Sequence, residues 1–323
     1  MSGSVEEVGE RRVLSVQSHV VHGHVGNRCA IPVLLYHDFE VDVINSVQLS
    51  THTHYSEWNG QVLNREDLDK LYSCLRNLSL DHYTHMLTGY CRDVDFLRYE
   101  AGIIREQRQR NAHFQYVCDP VLGDNGRLYV PEELVAVYRD EVVPLADIVT
   151  PNQFELSQLS GVSVVDEASM WRAVAELHRR GVANVVVTST DFGSERHLLQ
   201  LYSSARRQTP PSAAESGGGG GGGEEDERTS YTVPLLDGYF VGTGDLFTAL
   251  LLVWYDKSGR RLDVAVTRAL EAMQPLLRDT LQRATVEAAP DTPSCRHMEL
   301  RIVQNRAHIE RPTPSPLIEV ASL

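Results

Sequence analysis

The sequence is short of positive charge. Its 323 residues include 44 aspartates and glutamates but only 30 lysines and arginines, which gives a formal net charge of −14 at pH 7. Nucleic acids and anionic membranes attract basic surfaces, so this balance argues against either of them as a partner. Any phosphate that the protein binds must be held by local loops rather than by a basic face.

Cysteine and long apolar runs are also scarce. Five cysteines stand far apart with no Cys-x-x-Cys pair, so the sequence predicts neither a disulfide framework nor a zinc knuckle. The first twelve residues are polar, and the longest apolar run, residues 246–255, is too short to span a bilayer. We therefore expect a cytoplasmic protein with reduced thiols, neither exported nor inserted in a membrane.

Several motifs of nucleotide-binding and hydrolytic enzymes are missing. The sequence contains no Gly-x-x-x-x-Gly-Lys-Ser/Thr loop, no Gly-x-Gly-x-x-Gly that opens an early helix, no Gly-x-Ser-x-Gly elbow and no protein-kinase catalytic loop. A phosphotransferase with this sequence must use a different design for binding phosphate.

What the chain does contain is an alternation of strand-like runs and helical stretches. The strand-like runs are residues 13–16, 41–47, 85–88, 114–118, 147–150 and 184–188. Helical spacing is clearest over residues 68–78 and 164–180, and Gly181 supplies a stop. This order predicts an α/β fold with a mostly parallel, doubly wound sheet, helices on both faces and ligands at the carboxyl ends of the strands. Polar residues follow each of the six runs, as that arrangement requires.

The same pattern predicts one domain, covering residues 13–311. We expect a flexible N-terminus over residues 1–12 and an extended, proline-containing tail over residues 312–323. Residues 206–230 contain seven consecutive glycines and an acidic run, a composition that predicts a disordered insertion between two edge strands.

Two further elements are predicted near the C-terminus. The helical stretch over residues 262–287 contains Pro275, which predicts a kink or a break into two helices. A short strand is predicted at residues 300–303.

The chain is organised around Gly242-Thr-Gly-Asp245, which opens an apolar helix. Amides at a helix start lack partners within the helix and lie at the positive end of its dipole, so this glycine-rich start predicts a phosphate site. The Thr243 hydroxyl adds a donor. A carboxylate beside such a site, here Asp245, can accept the proton of a hydroxyl that attacks the phosphate. The alternative is a glycine-linked helix start with Asp245 as a cap.

Three carboxylates follow two of the predicted strands. Asp119 and Asp124 come after one strand, and Glu155 comes after another. Mg²⁺ binds carboxylates and waters between nucleotide phosphates, so these side chains are candidate ligands. The alternative is that they serve as helix caps and turn formers.

Five histidines lie in two loops, three in the first (His19, His22 and His24) and two in the next (His52 and His54). Such spacing can bind zinc, but no acidic or cysteine partner stands at a typical ligand spacing nearby. Lining a cleft, where imidazole donates to an oxygen or stacks on a ring, is the favoured interpretation.

With these residues in place, the chain resembles the ribokinase-like superfamily and, within it, the pyridoxal kinases. The superfamily pattern is Gly242-Thr-Gly-Asp245 together with Asn152-x-x-Glu155. The narrower pattern runs collinearly along the chain, at residues 13–20, 26–27, 45–48, 87–90, 118–124, 129–131, 143–147, 150–155 and 299–304. One departure is His54, which stands where the resemblance leads us to expect a glycine.

The resemblance implies transfer of the γ-phosphate of ATP to the 5′-hydroxymethyl group of pyridoxal, and also of pyridoxine and pyridoxamine, in the salvage of vitamin B6. Asp245 would be the base, and the amides of Gly242, Thr243 and Gly244 would stabilise the transferring phosphoryl group. The implied substrate contacts are Ser18, Val25, Val47, Thr53, Tyr90 and Asp245. The implied ATP contacts are Asp119, Asn152, Thr188, Ser189, Leu236, Gly238 and Thr243. The implied ligands of Mg²⁺ (or another divalent cation) and of a monovalent cation, K⁺ or Na⁺, are Asp119, Asp124, Thr150, Glu155 and Thr188.

The resemblance also implies a homodimer, and it leaves two alternative functions open. One is a hydroxymethylpyrimidine kinase of the same superfamily, against which Ser18-His19 and residues 45–48 favour pyridoxal. The other is a catalytically silent carrier of pyridoxal 5′-phosphate. The complete set of Asp119, Glu155 and Asp245 argues against a carrier, which has no need of all three.

Overall fold

The computed structural model describes residues 10–192, 197–206, 226–287 and 294–323. The strands in these ranges are β1 (Arg12–Val20), β2 (Glu40–Leu49), β3 (Gly60–Val62), β4 (His85–Thr88), β5 (Gln115–Cys118), β6 (Gly123–Asp124), β7 (Arg127–Leu128), β8 (Ile148–Val149), β9 (Asn184–Thr190), β10 (Leu198–Ala205), β11 (Glu227–Pro234) and β12 (Glu319–Ser322). The α-helices are α1 (Asn27–Leu35), α2 (Arg65–Asn77), α3 (Val94–Arg110), α4 (Glu133–Val137), α5 (Gln153–Ser160), α6 (Glu167–Arg179), α7 (Thr243–Lys257), α8 (Leu262–Glu287), α9 (Ser294–His297) and α10 (Arg306–Glu310).

A ten-stranded sheet has the order β12-β11-β10-β9-β8-β5-β4-β1-β2-β3. The strands from β9 to β2 in that order run parallel, and β3, β10, β11 and β12 pair antiparallel at the two edges. β6 and β7 form a separate hairpin. The predicted α/β fold with a mostly parallel, doubly wound sheet is confirmed.

β1 shows how the sheet is covered on both faces. Neighbouring residues of a strand point to opposite faces, and Val13 and Leu14 are both fully buried but belong to different apolar cores. The core that contains Val13 includes residues of α1, α7 and α8, and the core that contains Leu14 includes residues of α2, α3, α5 and α6. Strands buried on both faces read as continuous apolar runs, which made them recognisable in the sequence.

The C-terminal part departs from the prediction in two places. The predicted break at Pro275 does not occur, and α8 continues as one helix of 26 residues. Burial of neighbours such as Ala272 and Leu276 outweighs the lost backbone hydrogen bond. The strand predicted at residues 300–303 is absent, and a turn covers residues 302–305. Leu300 and Ile302 are buried at alternate positions, and this imitates strand periodicity. In the tail, the exposed residues Glu319–Ser322 form β12, which pairs with β11.

Most of the predicted insertion lies outside the described residues. β10 pairs with β11, with Ala205 opposite Glu227, so the segment between them connects the ends of a hairpin. Residues 227–230 were assigned to the insertion but belong to β11. The predicted flexible N-terminus also lies outside the described residues up to residue 9. Among the residues that are described, no helix combines the length and apolarity needed to cross a membrane.

Candidate active site

The carboxyl ends of the parallel strands open onto a cleft of about 810 Å³. This is the edge at which doubly wound sheets bind ligands. Every catalytic, substrate, ATP and metal residue that the resemblance implies lines this cleft except Asp245, which follows Gly244 in the first turn of α7. The predicted residues that line it are Ser18, Val25, Val47, Thr53, Tyr90, Asp119, Asp124, Thr150, Asn152, Glu155, Thr188, Ser189, Leu236, Gly238, Gly242, Thr243 and Gly244.

The start of α7 is suited to binding an anion. Gly242 has a φ of 88°, and no side chain caps the helix, so the amides of the first turn remain available to a ligand. A Cβ atom at Gly242 would lie 2.3 Å from the carbonyl oxygen of His24. Glycine is therefore required both for the backbone conformation and for the close approach of the two loops. The alternative, in which Asp245 caps the helix, is wrong, because Gly242 is the N-cap residue and no side chain makes a capping hydrogen bond.

Asp245 is half-buried in the first turn of α7, next to the cleft-lining Gly244. Burial raises the pKa of Asp245 to about 6, and a hydrogen bond from the Gly26 backbone amide works against that rise. Burial, with the nearby charge of Asp245, raises the pKa of the Cys29 thiol. A carboxyl group with a pKa near 6 is mostly ionised at neutral pH yet is a stronger base than an exposed aspartate, which suits a general base.

Asp119 and Glu155 form a buried pair of carboxyl groups. Burial raises the pKa of Asp119, the charges of Glu155 and Asp245 raise it further, and the Thr248 hydroxyl lowers it. Burial also raises the pKa of Glu155 to about 7, although backbone amides donate hydrogen bonds to its carboxylate. Two buried acids that repel each other are favourable only when a proton or a cation is shared between them.

Glu155 owes its position to the helix that it caps. The Glu155 carboxylate accepts a hydrogen bond from the backbone amide of Asn152 at 2.9 Å. In return, the side-chain oxygen of Asn152 accepts one from the backbone amide of Glu155 at 2.9 Å. Together these two bonds make a capping box at the start of α5. Glu155 also accepts from the amide of Leu122 at 2.9 Å. The side-chain NH₂ group of Asn152 donates one hydrogen bond to the backbone carbonyl of Gly123 at 2.8 Å. Its second N–H remains for a ligand. For Glu155, the helix-cap alternative and the position in the cleft are therefore both correct.

The carboxylate pair fits a divalent cation that is held jointly with nucleotide phosphates. Mg²⁺ usually takes one or two carboxylates together with phosphate oxygens and waters. The described residues contain no group of three or more His, Cys, Asp or Glu side chains that could hold a metal by themselves. The predicted ligands line one cleft, but among the described residues they do not form a complete coordination shell without phosphate or water ligands.

One side of the cleft is apolar with a few hydroxyl groups. Val25 and Val47 belong to a small buried cluster, against which Tyr90 packs. Ser18 is buried beside them, whereas Thr53 is exposed on the segment that follows β2. Apolar walls with a small number of polar groups are typical of a site for a small aromatic ligand.

The other side of the cleft contains residues that the sequence analysis missed. Leu236 and Gly238 lie there as predicted, and Met273 and Leu277 of α8 line the same cleft. Their spacing of four residues places them on one helix face, a signal present in the sequence. Which face of α8 meets the cleft could not be read without the fold.

The two histidine loops have different positions. His52 and His54 line the cleft, and the Nε2 atom of His54 lies 2.8 Å from the hydroxyl of Tyr239. His19, His22 and His24 are not among the lining residues. The prediction that the histidines line a cleft is therefore confirmed for His52 and His54 and is wrong for the three histidines of the first loop.

Glu299 is a further residue that the sequence analysis did not single out. Its carboxylate accepts hydrogen bonds from the backbone amide of His24 and the hydroxyl of Tyr55, both at 3.0 Å. The one sequence signal for Glu299 was that it lies in residues 299–304, which resemble the family. That resemblance gives no information about which residues Glu299 contacts.

Sequence and fold are both similar to those of known kinases. Residues 99–213 match the family model described as phosphomethylpyrimidine kinase. The pyridoxal kinase of Homo sapiens is 43% identical over 311 residues, which cover 94% of this chain and 96% of the human one. That of Arabidopsis thaliana is 42% identical over 301 residues, 93% of this chain and 92% of the plant one. The structure of pyridoxal kinase from Leishmania donovani in complex with ADP and pyridoxamine has a TM-score of 0.83 and 33% identity, covering 97% of this chain and 100% of that chain.

Proposed function

The chain belongs to the pyridoxal kinase family, and from this premise we propose that it transfers the γ-phosphate of ATP to the 5′-hydroxymethyl group of pyridoxal, as a step of vitamin B6 salvage. It is an ATP-dependent phosphotransferase with an alcohol acceptor. The observation that carries the assignment is the start of α7, where the uncapped residues Gly242, Thr243 and Gly244 line the cleft. Asp245 follows them, and its charge is close enough to the cleft-lining Asp119 to raise the pKa of that carboxyl group. Pyridoxine and pyridoxamine, which carry the same hydroxymethyl group, are proposed as further substrates.

Asp245 is the proposed general base. Its carboxylate takes the proton of the 5′-hydroxyl group as the oxygen forms a bond to the γ-phosphorus of ATP and the bond to the ADP oxygen breaks. The amides of Gly242, Thr243 and Gly244 donate to the phosphoryl oxygens, whose charge they stabilise during the transfer. Proton acceptance and stabilisation of the transferring phosphoryl group matter in the transition state more than in substrate binding. Loss of either should therefore lower mainly kcat.

The two sides of the cleft divide the remaining contacts. The apolar side holds the pyridine ring through Ser18, Val25, Val47, Thr53 and Tyr90. The α8 side holds ATP, with Leu236 and Gly238 at the adenine. The phosphates are contacted by Asp119, Asn152, Thr188, Ser189 and Thr243.

Mg²⁺ and a monovalent cation, K⁺ or Na⁺, are proposed as cofactors. A divalent ion supplies charge neutralisation for the phosphates when it is bound. Asp119 and Glu155 would hold it, with Asp124 as a further carboxylate. Thr150 and Thr188 offer the neutral oxygens that a monovalent cation prefers.

Three other properties are proposed from the family. The chain forms a homodimer, it acts in the cytoplasm, and residues 13–311 form a single kinase domain. Size-exclusion chromatography with light scattering tests the first of these.

A second candidate function is phosphorylation of hydroxymethylpyrimidine, favoured by the family-model match over residues 99–213. A coupled assay of ADP formation with ATP, Mg²⁺ and K⁺ tests the two acceptors in separate reactions. We expect turnover with pyridoxal. Turnover with the pyrimidine alone would keep the chemistry and overturn the substrate, and binding of pyridoxal 5′-phosphate without any turnover would support the carrier.

A further inference from the structure

Glu299 connects the C-terminal tail to two loops on the substrate side of the cleft. Its Oε2 atom accepts from the His24 backbone amide at 3.0 Å, and its Oε1 atom accepts from the Tyr55 hydroxyl at 3.0 Å. The Nε2 atom of His52 lies 3.3 Å from Oε1. These partners are more than 240 residues away in sequence, and the Glu299 side chain is only 14% exposed.

The third partner is oriented by its own neighbour. The backbone amide of His54 donates to Nδ1 of His52 at 3.3 Å, so a neutral His52 ring carries its proton on Nε2 and donates it to Glu299. An ionised carboxylate only accepts hydrogen bonds, so three donors converge on a group that can satisfy all of them.

The tail that carries Glu299 is firmly anchored. Leu300 and Ile302 are buried in the core, at 1% and 0% exposure. Between them, Arg301 donates from Nε to Asp279 at 2.8 Å and from its backbone amide to the Thr280 hydroxyl at 3.2 Å. Glu299 is therefore a fixed point to which the two loops are attached.

Both loops carry residues of the site. The first contains Val25, which lines the cleft, and Gly26, whose amide reaches Asp245. The second contains Thr53. The first loop approaches the tail so closely that a Cβ atom at Gly23 would lie 2.6 Å from the Glu299 carboxylate.

We propose that Glu299 is a positioning residue that holds these two loops in register, so that affinity for the ring substrate depends on it and affinity for ATP does not. The inference rests on the proposed function, because it concerns the same site. Glu299 touches neither reacting atom and acts through His24, His52 and Tyr55.

The test is Glu299→Gln, which keeps the shape of the side chain but places an N–H group opposite a donor. We expect the KM for pyridoxal to rise roughly 10- to 100-fold, from the loss of hydrogen bonds to a charged acceptor, with little change in kcat or in the KM for ATP. Tyr55→Phe removes one of the three bonds and should give a smaller rise in the same constant.

Asp279→Asn is the matched control. Asp279 binds Arg301 and Asn305 of the same tail, so this variant weakens two tail bonds without touching the carboxylate that holds the loops. The buried Leu300 and Ile302 still keep the tail in place. We expect a lower Tm and an unchanged KM for pyridoxal.

Hydrogen exchange gives a readout that does not depend on activity. The amides of residues 21–26 and 50–59 should exchange faster in Glu299→Gln than in the wild type or in Asp279→Asn. An unchanged KM for pyridoxal in active Glu299→Gln, or equal exchange in these loops, overturns the inference. Failure of the wild type to phosphorylate pyridoxal contradicts the proposed function, and the exchange comparison then still decides whether Glu299 holds the loops.

Discussion

Replacing Gly242 by alanine is the sharpest structural test of the anion-binding loop. At a φ of 88°, a residue with a Cβ atom is destabilised by about 1–2 kcal/mol. The added carbon would lie 2.3 Å from the His24 carbonyl oxygen, so the loops must separate by about 1 Å to restore an ordinary contact. A displacement of that size misaligns the amides, which predicts a loss of about 10²- to 10³-fold in kcat.

Gly161→Ala is the control that separates the effect of backbone strain from the effect of misaligned amides. Gly161 has a φ of 74° at the end of α5, with nothing within 4 Å of an added Cβ atom. Both variants should lower Tm by a few degrees, measured by circular dichroism, but Gly161→Ala should keep the wild-type kcat in a coupled assay at saturating ATP and pyridoxal. If folded Gly242→Ala turns over at nearly the wild-type rate, the amides of α7 do not stabilise the transfer and the reasoning is refuted.

Three further predictions concern the acidic residues Asp245 and Glu100. Asp245→Asn should bind ADP, measured by calorimetry, but lose about 10²- to 10⁴-fold in kcat; near-normal turnover would remove Asp245 from the role of base. Because burial raises the pKa of Asp245 to about 6, the wild-type base is present above that pH and kcat should fall as the pH drops through it. Glu100 is buried with one carboxyl oxygen lacking a hydrogen-bond partner, and burial holds its pKa well above the ordinary 4.5. The folded protein keeps a proton that the unfolded chain releases, so stability is lost as the pH rises, and Glu100→Gln should raise Tm more at about pH 8 than at about pH 5; an equal change in Tm at both values would contradict this.

The sequence contained the parts of the site that depend on local backbone chemistry. Gly242-Thr-Gly-Asp245 was recognisable because a close approach between loops excludes any side chain at Gly242. Asn152 and Glu155 were singled out through the Asn152-x-x-Glu155 pattern, whose spacing is that of a capping box. The parallel strands were visible because burial on both faces makes them continuously apolar.

The parts that could not be predicted depend on contacts between distant segments. Nothing near Glu299 indicates that its partners are His24, His52 and Tyr55, since no local pattern encodes a bond across 275 residues. Pro275 was misleading for the same reason, because packing along α8 outweighs its local preference. Assignment of pyridoxal as the substrate likewise required the resemblance, since the chemistry of the residues alone indicates phosphoryl transfer.

The most direct test of the central claim is a competition between acceptors. Wild-type protein is incubated with ATP, Mg²⁺ and K⁺ and an equimolar mixture of pyridoxal and hydroxymethylpyrimidine, and the phosphorylated products are identified by mass spectrometry. Asp245→Asn in the same mixture is the control for contaminating kinases. We expect pyridoxal 5′-phosphate as the main product of the wild type and almost none from the variant. Phosphorylation of the pyrimidine in preference to pyridoxal, or equal product from both proteins, would contradict the account.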